Sequence, residues 1–145
     1  MMRKKLLLGT LFLMSATSLL AANDPIAQRK DILKEIGEVT KPVVGMLKGE
    51  VPFDRAKVDA ALTAYADGIP KLPSLFPDDS KTGGKTEAKA RIWDEKPKFE
   101  ALFKKFGEDV KTTQGTITDV ASLKANFPKV LGDCKSCHDD YREKH

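Results

Sequence analysis

The sequence is poor in the side chains that bind metals or form crosslinks. Its 145 residues include two cysteines, two histidines and one tryptophan. A structural zinc site needs four ligands, so it would have to use every cysteine and histidine of the chain. These residues are Cys134, Cys137, His138 and the terminal His145. Two cysteines alone in an oxidising compartment would ordinarily be interpreted as a disulfide. That interpretation has to account for the histidine directly after Cys137.

Long hydrophobic runs are also missing after the first 22 residues. Residues 3–5 are basic, residues 6–13 are apolar, and small residues lead to Ala22. This layout is typical of a secretory signal peptide cleaved after Ala22. A membrane anchor would need about 20 apolar residues, more than this run provides. We therefore expect residues 1–22 to be removed, and a periplasmic mature protein with no membrane attachment.

The mature chain has almost no excess of charge. The full sequence has 25 Lys and Arg against 21 Asp and Glu, and three of the cations lie in residues 1–22. Lysines and acids are interspersed along the rest, with no basic stripe that could follow a phosphate backbone. The composition therefore argues against nucleic acid as a partner.

Strand patterns are nearly absent, whereas helical patterns recur. Apolar residues at helical spacing and capping signals predict four helices. They cover roughly residues 24–47, 54–69, 94–113 and 119 to the C-terminus. Pro42 is expected to kink or break the first helix, and Pro128 to bend the last. Residues 74–91 form the longest loop, a length usually associated with function. These features predict an all-α, antiparallel four-helix bundle.

The strongest motif is Cys134-Lys135-Ser136-Cys137-His138, a C-x-x-C-H pattern. On a helix, residues at i, i+3 and i+4 lie on one face. Two thiols so placed can add to the vinyl groups of one porphyrin edge, and the histidine can reach the iron. We therefore expect one covalently attached haem c near the C-terminal helix, with His138 as its axial ligand.

Two other interpretations of the cysteine pair are weaker. A thioredoxin-like redox pair would follow a strand at a helix start, whereas this motif lies at the end of a helical chain. A plain structural disulfide would leave His138 without a role.

The sequence resembles cytochrome c′, the class II c-type cytochromes, over residues 23–145. The C-terminal position of the motif, continued by Asp139-Asp140-Tyr141-Arg142, carries the resemblance, because class I cytochromes place theirs near the N-terminus. Further matching segments are residues 48–54, residues 72–77 and Ile92-Trp93. The resemblance implies an antiparallel four-helix bundle, often a homodimer formed through the first two helices.

The resemblance also implies residues around the haem. Arg29 would lie beside the propionates, and Leu33, on the same helix face, would cover the distal side. Without the resemblance, Arg29 could equally lie on the surface and Leu33 in the core. Arg142 would lie near the proximal pocket, although the helix dipole would also favour it as a solvated charge. Three further residues match positions at the haem edge: Lys30, Thr86 and Glu87.

No sixth ligand for the iron is evident. Some class II relatives carry methionine at the position of Leu33, and leucine cannot bind iron. Met46 lies about 20 Å further along a straight helix and on roughly the opposite face. His145 is on the proximal helix. We therefore expect a five-coordinate, high-spin haem with an apolar, crowded distal face.

Two functions are compatible with this site. The haem could pass single electrons to a periplasmic redox partner of unknown identity, or it could bind small gases, NO and CO. The alternative is a six-coordinate, low-spin electron carrier with no gas-binding role. A peroxidase or reductase would want an acid–base group above the iron, and the sequence has no histidine for it. We therefore expect a protein that is not an enzyme.

Overall fold

The computed structural model describes residues 24–144, which form a bundle of helices. Residues 1–23, with the expected cleavage after Ala22, and the terminal His145 lie outside the described residues. The α-helices of the described part are α1 (Pro25–Lys48), α2 (Arg55–Gly68), α3 (Arg91–Asp94), α4 (Lys96–Thr113) and α5 (Val120–Tyr141). Three short 3-10 helices lie between α2 and α3, at Ile69–Lys71, Pro73–Leu75 and Asp78–Ser80. The helices α1, α2, α4 and α5 form the predicted four-helix bundle. Within residues 24–144, no helix is both long and apolar enough to cross a membrane.

The helix ends follow local capping chemistry. The Asp24 carboxylate accepts from the Ile26 and Ala27 amides and begins α1. Asp54 begins α2 and Asp119 begins α5, as the sequence predicts.

The last turn of α1 ends in the left-handed region, which favours glycine. Gly49 has φ of 75°, and its N–H donates to the Met46 carbonyl oxygen. This glycine ends α1, and the chain then turns toward α2.

The prolines do not interrupt their helices. Pro42 lies inside α1 and Pro128 inside α5, and both helices continue through them. Of the two outcomes expected at Pro42, a kink or a break, the break is therefore wrong. The short helix α3 was not predicted, and it places Ile92 in the core just before α4 begins.

The core fills the space between the four long helices. Tyr65 is fully buried, and its hydroxyl is 2.6 Å from the Thr40 hydroxyl of α1. Burial raises the pKa of Tyr65 to about 12, so this phenol stays protonated. A second, aromatic cluster lies between α4 and the end of α5 and consists of Phe76, Ile92, Phe99 and Tyr141.

The connection between α2 and α4 is anchored to α1 by a buried arginine. The Arg29 guanidinium donates to the Leu75 carbonyl, to the hydroxyl and carbonyl of Ser80, and to the Thr86 hydroxyl, at 2.8–3.0 Å. It also lies over the Phe76 ring, 4.5 Å from the centroid. The long loop is therefore fixed to the first helix at both ends of residues 75–86.

A network of charges joins α4 to α5. Lys105 Nζ lies 2.6 Å from Asp109 Oδ2 and 2.5 Å from Asp133 Oδ1, and Lys129 Nζ lies 2.7 Å from Asp109 Oδ1. Asp133 Oδ2 is buried without a hydrogen-bond partner among the described residues. Hydrogen bonds from both lysines lower the pKa of Asp109 to about 2, whereas desolvation raises the pKa of Asp133.

The two aspartates should therefore differ in their effects on stability. Asp109→Asn is expected to lower the free energy of unfolding at pH 7 by about 1–3 kcal/mol, because it removes charge-assisted hydrogen bonds. Asp133→Asn should cost nothing or stabilise the protein, because asparagine still accepts from Lys105 and no charge is buried. Urea unfolding of both holoprotein variants measures the difference.

The pH dependence gives a second check. A carboxylate with a lowered pKa stabilises the fold above its unfolded pKa, about 4, and this contribution is lost as the pH falls toward 2. The deficit of Asp109→Asn relative to the wild type should therefore shrink over that interval. Equal losses in both variants at pH 7 would contradict the asymmetry.

The Arg29 anchor gives another prediction. Arg29→Lys is expected to lower the free energy of unfolding by about 2–3 kcal/mol and to speed amide exchange in residues 76–86, since an ammonium cannot reproduce the planar array of donors. Lys30→Ala is the matched control. The exposed Lys30 ammonium donates to Gly84 and Lys85 carbonyls in the same segment, and its loss should cost about 0.5 kcal/mol or less. Unchanged exchange in Arg29→Lys would contradict the anchor.

Candidate haem site

The C-x-x-C-H motif lies in the last three turns of α5. Cys134, Cys137 and His138 are all half-buried and face the interior of the bundle. Cys134 packs against the main core, where its thiol donates to the Val130 carbonyl across 3.7 Å. Cys137 packs against the aromatic cluster. The helix therefore presents the two thiols and the imidazole along one side, as the spacing predicts.

Two adjoining cavities lie beside this side of α5. The loop-side cavity, which includes Arg29 and Thr86, has a volume of about 340 Å³. The bundle-side cavity, which includes Gly37 and Cys134, has a volume of about 480 Å³. Their shared lining consists of Leu33, Leu72, Phe103, Cys137 and His138. The cavities together form one slot between α1 and α5, with apolar walls.

The loop-side cavity gathers most of the predicted site residues. Of the nine residues named from the sequence, only Cys134 is absent from its lining, and Cys134 lines the bundle-side cavity. The others come from α1, the long loop and the end of α5. They are Arg29, Lys30, Leu33, Thr86, Glu87, Cys137, His138 and Arg142.

The environment of Arg29 suits an anion. Arg29 is 2% exposed, and burial lowers the pKa of its guanidinium. Within residues 24–144, no carboxylate lies within ion-pair distance of this guanidinium, and its hydrogen bonds go to neutral oxygens. The Asp24 carboxylate favours the charged guanidinium only from beyond ion-pair distance, and a buried cation without a direct partner is costly. An anionic group on a bound cofactor, such as a haem propionate, would supply a direct counter-charge.

His138 is held in the form that binds a metal. Burial, and then the neighbouring Arg142 cation, lower the pKa of His138. The imidazole is therefore neutral at physiological pH and keeps a free nitrogen lone pair, which metal coordination requires.

The thiols are held in their protonated form. Burial raises the pKa of both Cys134 and Cys137 to about 11. Thiolates are the nucleophiles in disulfide exchange, so these cysteines are poor redox thiols until a partner group reaches them. The donor set of two thiols and one neutral imidazole fits an attached haem.

The C-terminal end of the chain closes the loop-side cavity. Ala88 and Arg142 form an isolated antiparallel bridge. Arg142 Nε lies 3.6 Å from Glu87 Oε2, and the Glu143 amide donates to the Glu87 carbonyl at 2.8 Å. Residues 86–89 are thus tied to the end of α5 as well as to α1.

Leu33 and Met46, the two residues considered for the sixth ligand position, lie in different surroundings. Leu33 on α1 and His138 on α5 line both cavities, so they face the same slot. Met46, the one methionine in the described part of the sequence, lines neither cavity and is 2% exposed in the core. Its sulfur accepts the Asp54 amide proton at 3.4 Å.

Some site residues could not be inferred from the sequence. Ser80 is buried and pairs with Arg29, although the Asp78-Asp79-Ser80 run indicates only a turn. Phe76 comes directly after the Leu72–Leu75 stretch, and its ring lies under the Arg29 guanidinium. The Phe76 ring also packs edge-on against Phe99, with 4.8 Å between the ring centroids. Both belong to the long loop, in which the resemblance assigned roles only to Thr86 and Glu87.

Comparison with known proteins agrees with this geometry. Residues 24–142 match the family model described as cytochrome c′. The chain is 59% identical over 124 residues to a cytochrome c′ of Rhodopseudomonas palustris, covering 86% of this chain and 85% of that protein. It is 36% identical to a cytochrome c-556 of Agrobacterium fabrum, over 82% and 81% of the two chains.

Solved structures give the same result. A structure of cytochrome c′ from Rhodopseudomonas palustris superposes with a TM-score of 0.82 at 59% identity, covering 84% of this chain and 98% of that one. A structural model of cytochrome c556 from the same species gives 0.77 at 32% identity, covering 84% and 98%. This chain therefore belongs to the cytochrome c′ family, whose members are monohaem cytochromes with one covalently attached haem c.

Proposed function

We propose that this chain is a periplasmic cytochrome c′ whose haem c is five-coordinate and high-spin, and that it both transfers electrons and binds NO and CO. Cys134 and Cys137 would hold the haem by thioether bonds, and His138 would be its axial ligand. When bound, the haem supplies a redox-active iron with an open coordination position. Residues 23–145 would form the haem-binding domain.

The described residues support this attachment. Thioether formation adds each S–H across a vinyl double bond, so the sulfur binds one carbon, the hydrogen goes to the other, and no oxidant is needed. The buried Arg29 cation fits a propionate, and the two adjoining cavities accept a flat group between α1 and α5. Leu72 and Phe103 contribute apolar walls to both cavities.

The identity of residue 33 carries the proposal of an open iron position. Leu33 lines the same slot as His138, and its side chain has no atom that can bind a metal. Met46, the sulfur ligand that could replace it, is committed to the core and to the Asp54 amide. Neither cavity lining contains a methionine or a second histidine.

An apolar lid also favours particular ligands. Leu33 offers no hydrogen bond to a bound molecule and would occupy part of the slot beside the haem. Such a pocket discriminates against water and anions, which need polar contacts, and in favour of NO and CO. An open site also suits a pure electron carrier poorly, because a change of coordination raises the reorganisation energy. These arguments favour gas binding alongside electron transfer.

The periplasmic location rests on the first 22 residues. Their basic, apolar and small-residue zones support export and cleavage after Ala22. Maturation of the exported chain would leave Asn23 at the N-terminus, just before the Asp24 cap of α1. The homodimer that the resemblance implies stays a prediction.

Substitution at Leu33 tests the coordination state. The wild type should show high-spin optical and EPR spectra, and Leu33→Met should convert the haem to a low-spin form, because a thioether then faces the slot at the open position. Met46→Leu is the matched control, and it should leave the spectra high-spin. A low-spin wild type that becomes high-spin in Met46→Leu would instead identify Met46 as the sixth ligand.

Ligand titration tests gas binding. Addition of NO or CO to the ferrous wild type should change its spectrum, whereas cyanide or azide added to the ferric form should bind weakly. Leu33→Ala should raise the affinity for CO at least about tenfold, which corresponds to 1.4 kcal/mol, because it enlarges the space beside the haem. Val120→Ala, which removes an exposed apolar side chain outside both cavities, should change nothing. A wild-type spectrum unaffected by NO and CO would support the six-coordinate carrier.

A further inference from the structure

The cavities concentrate positive charge in a nearly neutral protein. The sequence of residues 24–144 has 22 Lys and Arg against 21 Asp and Glu. The lining of the two cavities, in contrast, contains seven basic side chains and only two acidic ones, Glu50 and Glu87. The basic residues are Arg29, Lys30, Lys34, Lys41, Lys48, Lys85 and Arg142. Two propionates would offset only part of this excess.

Much of the excess lies in one row on α1. At 3.6 residues per turn, the four lysines of this helix fall within about 40° of arc and span about 27 Å. They are Lys30, Lys34, Lys41 and Lys48. The row borders the helix face that lines the slot, which includes Leu33, Gly37 and Val44. Lys85 lies in the lining on the loop side. We call these five lysines the lysine rim.

The acidic residues of α1 lie on the other side of the rim. Asp31, Glu35 and Glu38 fall about 40–140° further around the helix and do not line either cavity. Along the sequence these acids alternate with the lysines and hide the pattern. The fold separates them, so the side toward the cavities is positive and the side away from them is negative.

The rim lysines remain available to a partner. All five are exposed. Lys41 Nζ is 2.8 Å from Glu38 and Lys48 Nζ is 3.8 Å from Glu50, but both pairs are solvated, with more than half of each side chain exposed. Exposed pairs of this kind bind weakly and exchange readily with an incoming charge.

We propose that the lysine rim is the docking surface for an acidic electron-transfer protein, which meets the haem at the mouth of the slot. This inference rests on the proposed function, because it requires the haem to lie between α1 and α5. Complementary charge at this mouth would steer the partner's approach and favour orientations in which the two redox centres are close.

The size and pattern of the rim favour a protein over other polyanions. Transient electron-transfer contacts bury less than about 1,200 Å², which suits a rim about 27 Å long. A flat anionic membrane or an extended nucleic acid would also press against Asp31, Glu35 and Glu38, whose charges would repel it. A small acidic protein can contact the mouth alone.

Stopped-flow kinetics with a defined probe test the proposal. The probe is a reduced plant-type [2Fe–2S] ferredoxin, an acidic protein, mixed anaerobically with the ferric holoprotein. The rate constant for wild type should fall roughly tenfold as salt rises from about 10 to 200 mM. The double variant Lys34→Glu/Lys41→Glu should be roughly tenfold slower than wild type at low salt. A cationic reductant, hexaammineruthenium(II), should react with this variant at least as fast as with wild type.

The matched control reverses two lysines away from the slot. Lys111→Glu/Lys124→Glu makes the same change in net charge at exposed positions outside both cavity linings, and its rate should stay within about twofold of wild type. Rates are compared for variants whose haem spectrum and helical circular dichroism match wild type. The neutral pair Lys34→Gln/Lys41→Gln supplies an intermediate case if the reversed pair folds poorly.

The outcomes separate this inference from the proposed function. Equal slowing in the rim and control variants would mean that only net charge matters. It would contradict the proposal that the lysine rim is the docking surface. Rim-dependent binding to phosphatidylserine vesicles, without rim-dependent ferredoxin kinetics, would assign the surface to a membrane and would also overturn it. A low-spin spectrum in the wild type would contradict the five-coordinate haem instead, and it would leave the kinetic comparison intact.

Discussion

The buried cation at Arg29 is the interaction on which the site depends. A guanidinium that is 2% exposed and has no carboxylate within ion-pair distance in residues 24–144 needs compensation from neutral dipoles. Ser80, Thr86 and the Leu75 carbonyl provide it, and in doing so they fix the loop between α2 and α4 against α1. The same loop then forms one wall of the loop-side cavity. One buried charge therefore holds the wall in position and also contributes to the positive charge of the cavity lining.

At the other end of the site, the geometry of helix α5 rather than charge positions the side chains. Cys134, Cys137 and His138 share a helix face because α5 continues without interruption through Pro128 to Tyr141. The end of that helix is also held in place, because the Arg142 backbone pairs with Ala88 and so ties residues 86–89 to α5. The long loop is thus attached to α1 at one side and to α5 at the other. The loop therefore connects the two helices that border the slot.

The sequence predicts the bundle well because its signals are local. Asp54 and Asp119 cap helices through contacts within three residues, and the C-x-x-C-H spacing defines a helix face without knowledge of the fold. The unbroken path through Pro42 and the short helix α3 could not be predicted, since packing by the rest of the core decides both. The partnership of Arg29 with Ser80 spans 51 residues and has no local signal at all. The resemblance to a family supplied Arg29, and only the structure explains how it is held.

The charge pattern of α1 shows why the surface was the least predictable part. A net charge near zero in residues 24–144 and interspersed lysines and acids indicate a surface without strong fields. Helical geometry converts that alternation into two separate rows, because residues three and four apart share a face while their neighbours do not. Lys34 therefore lines the loop-side cavity, whereas Glu35, one position later, lines neither cavity. A charge pattern that is balanced along the chain becomes a dipole across the helix, with its positive side at the mouth of the slot. Helix α1 therefore carries the apolar residues that line the slot and a row of lysines on neighbouring faces.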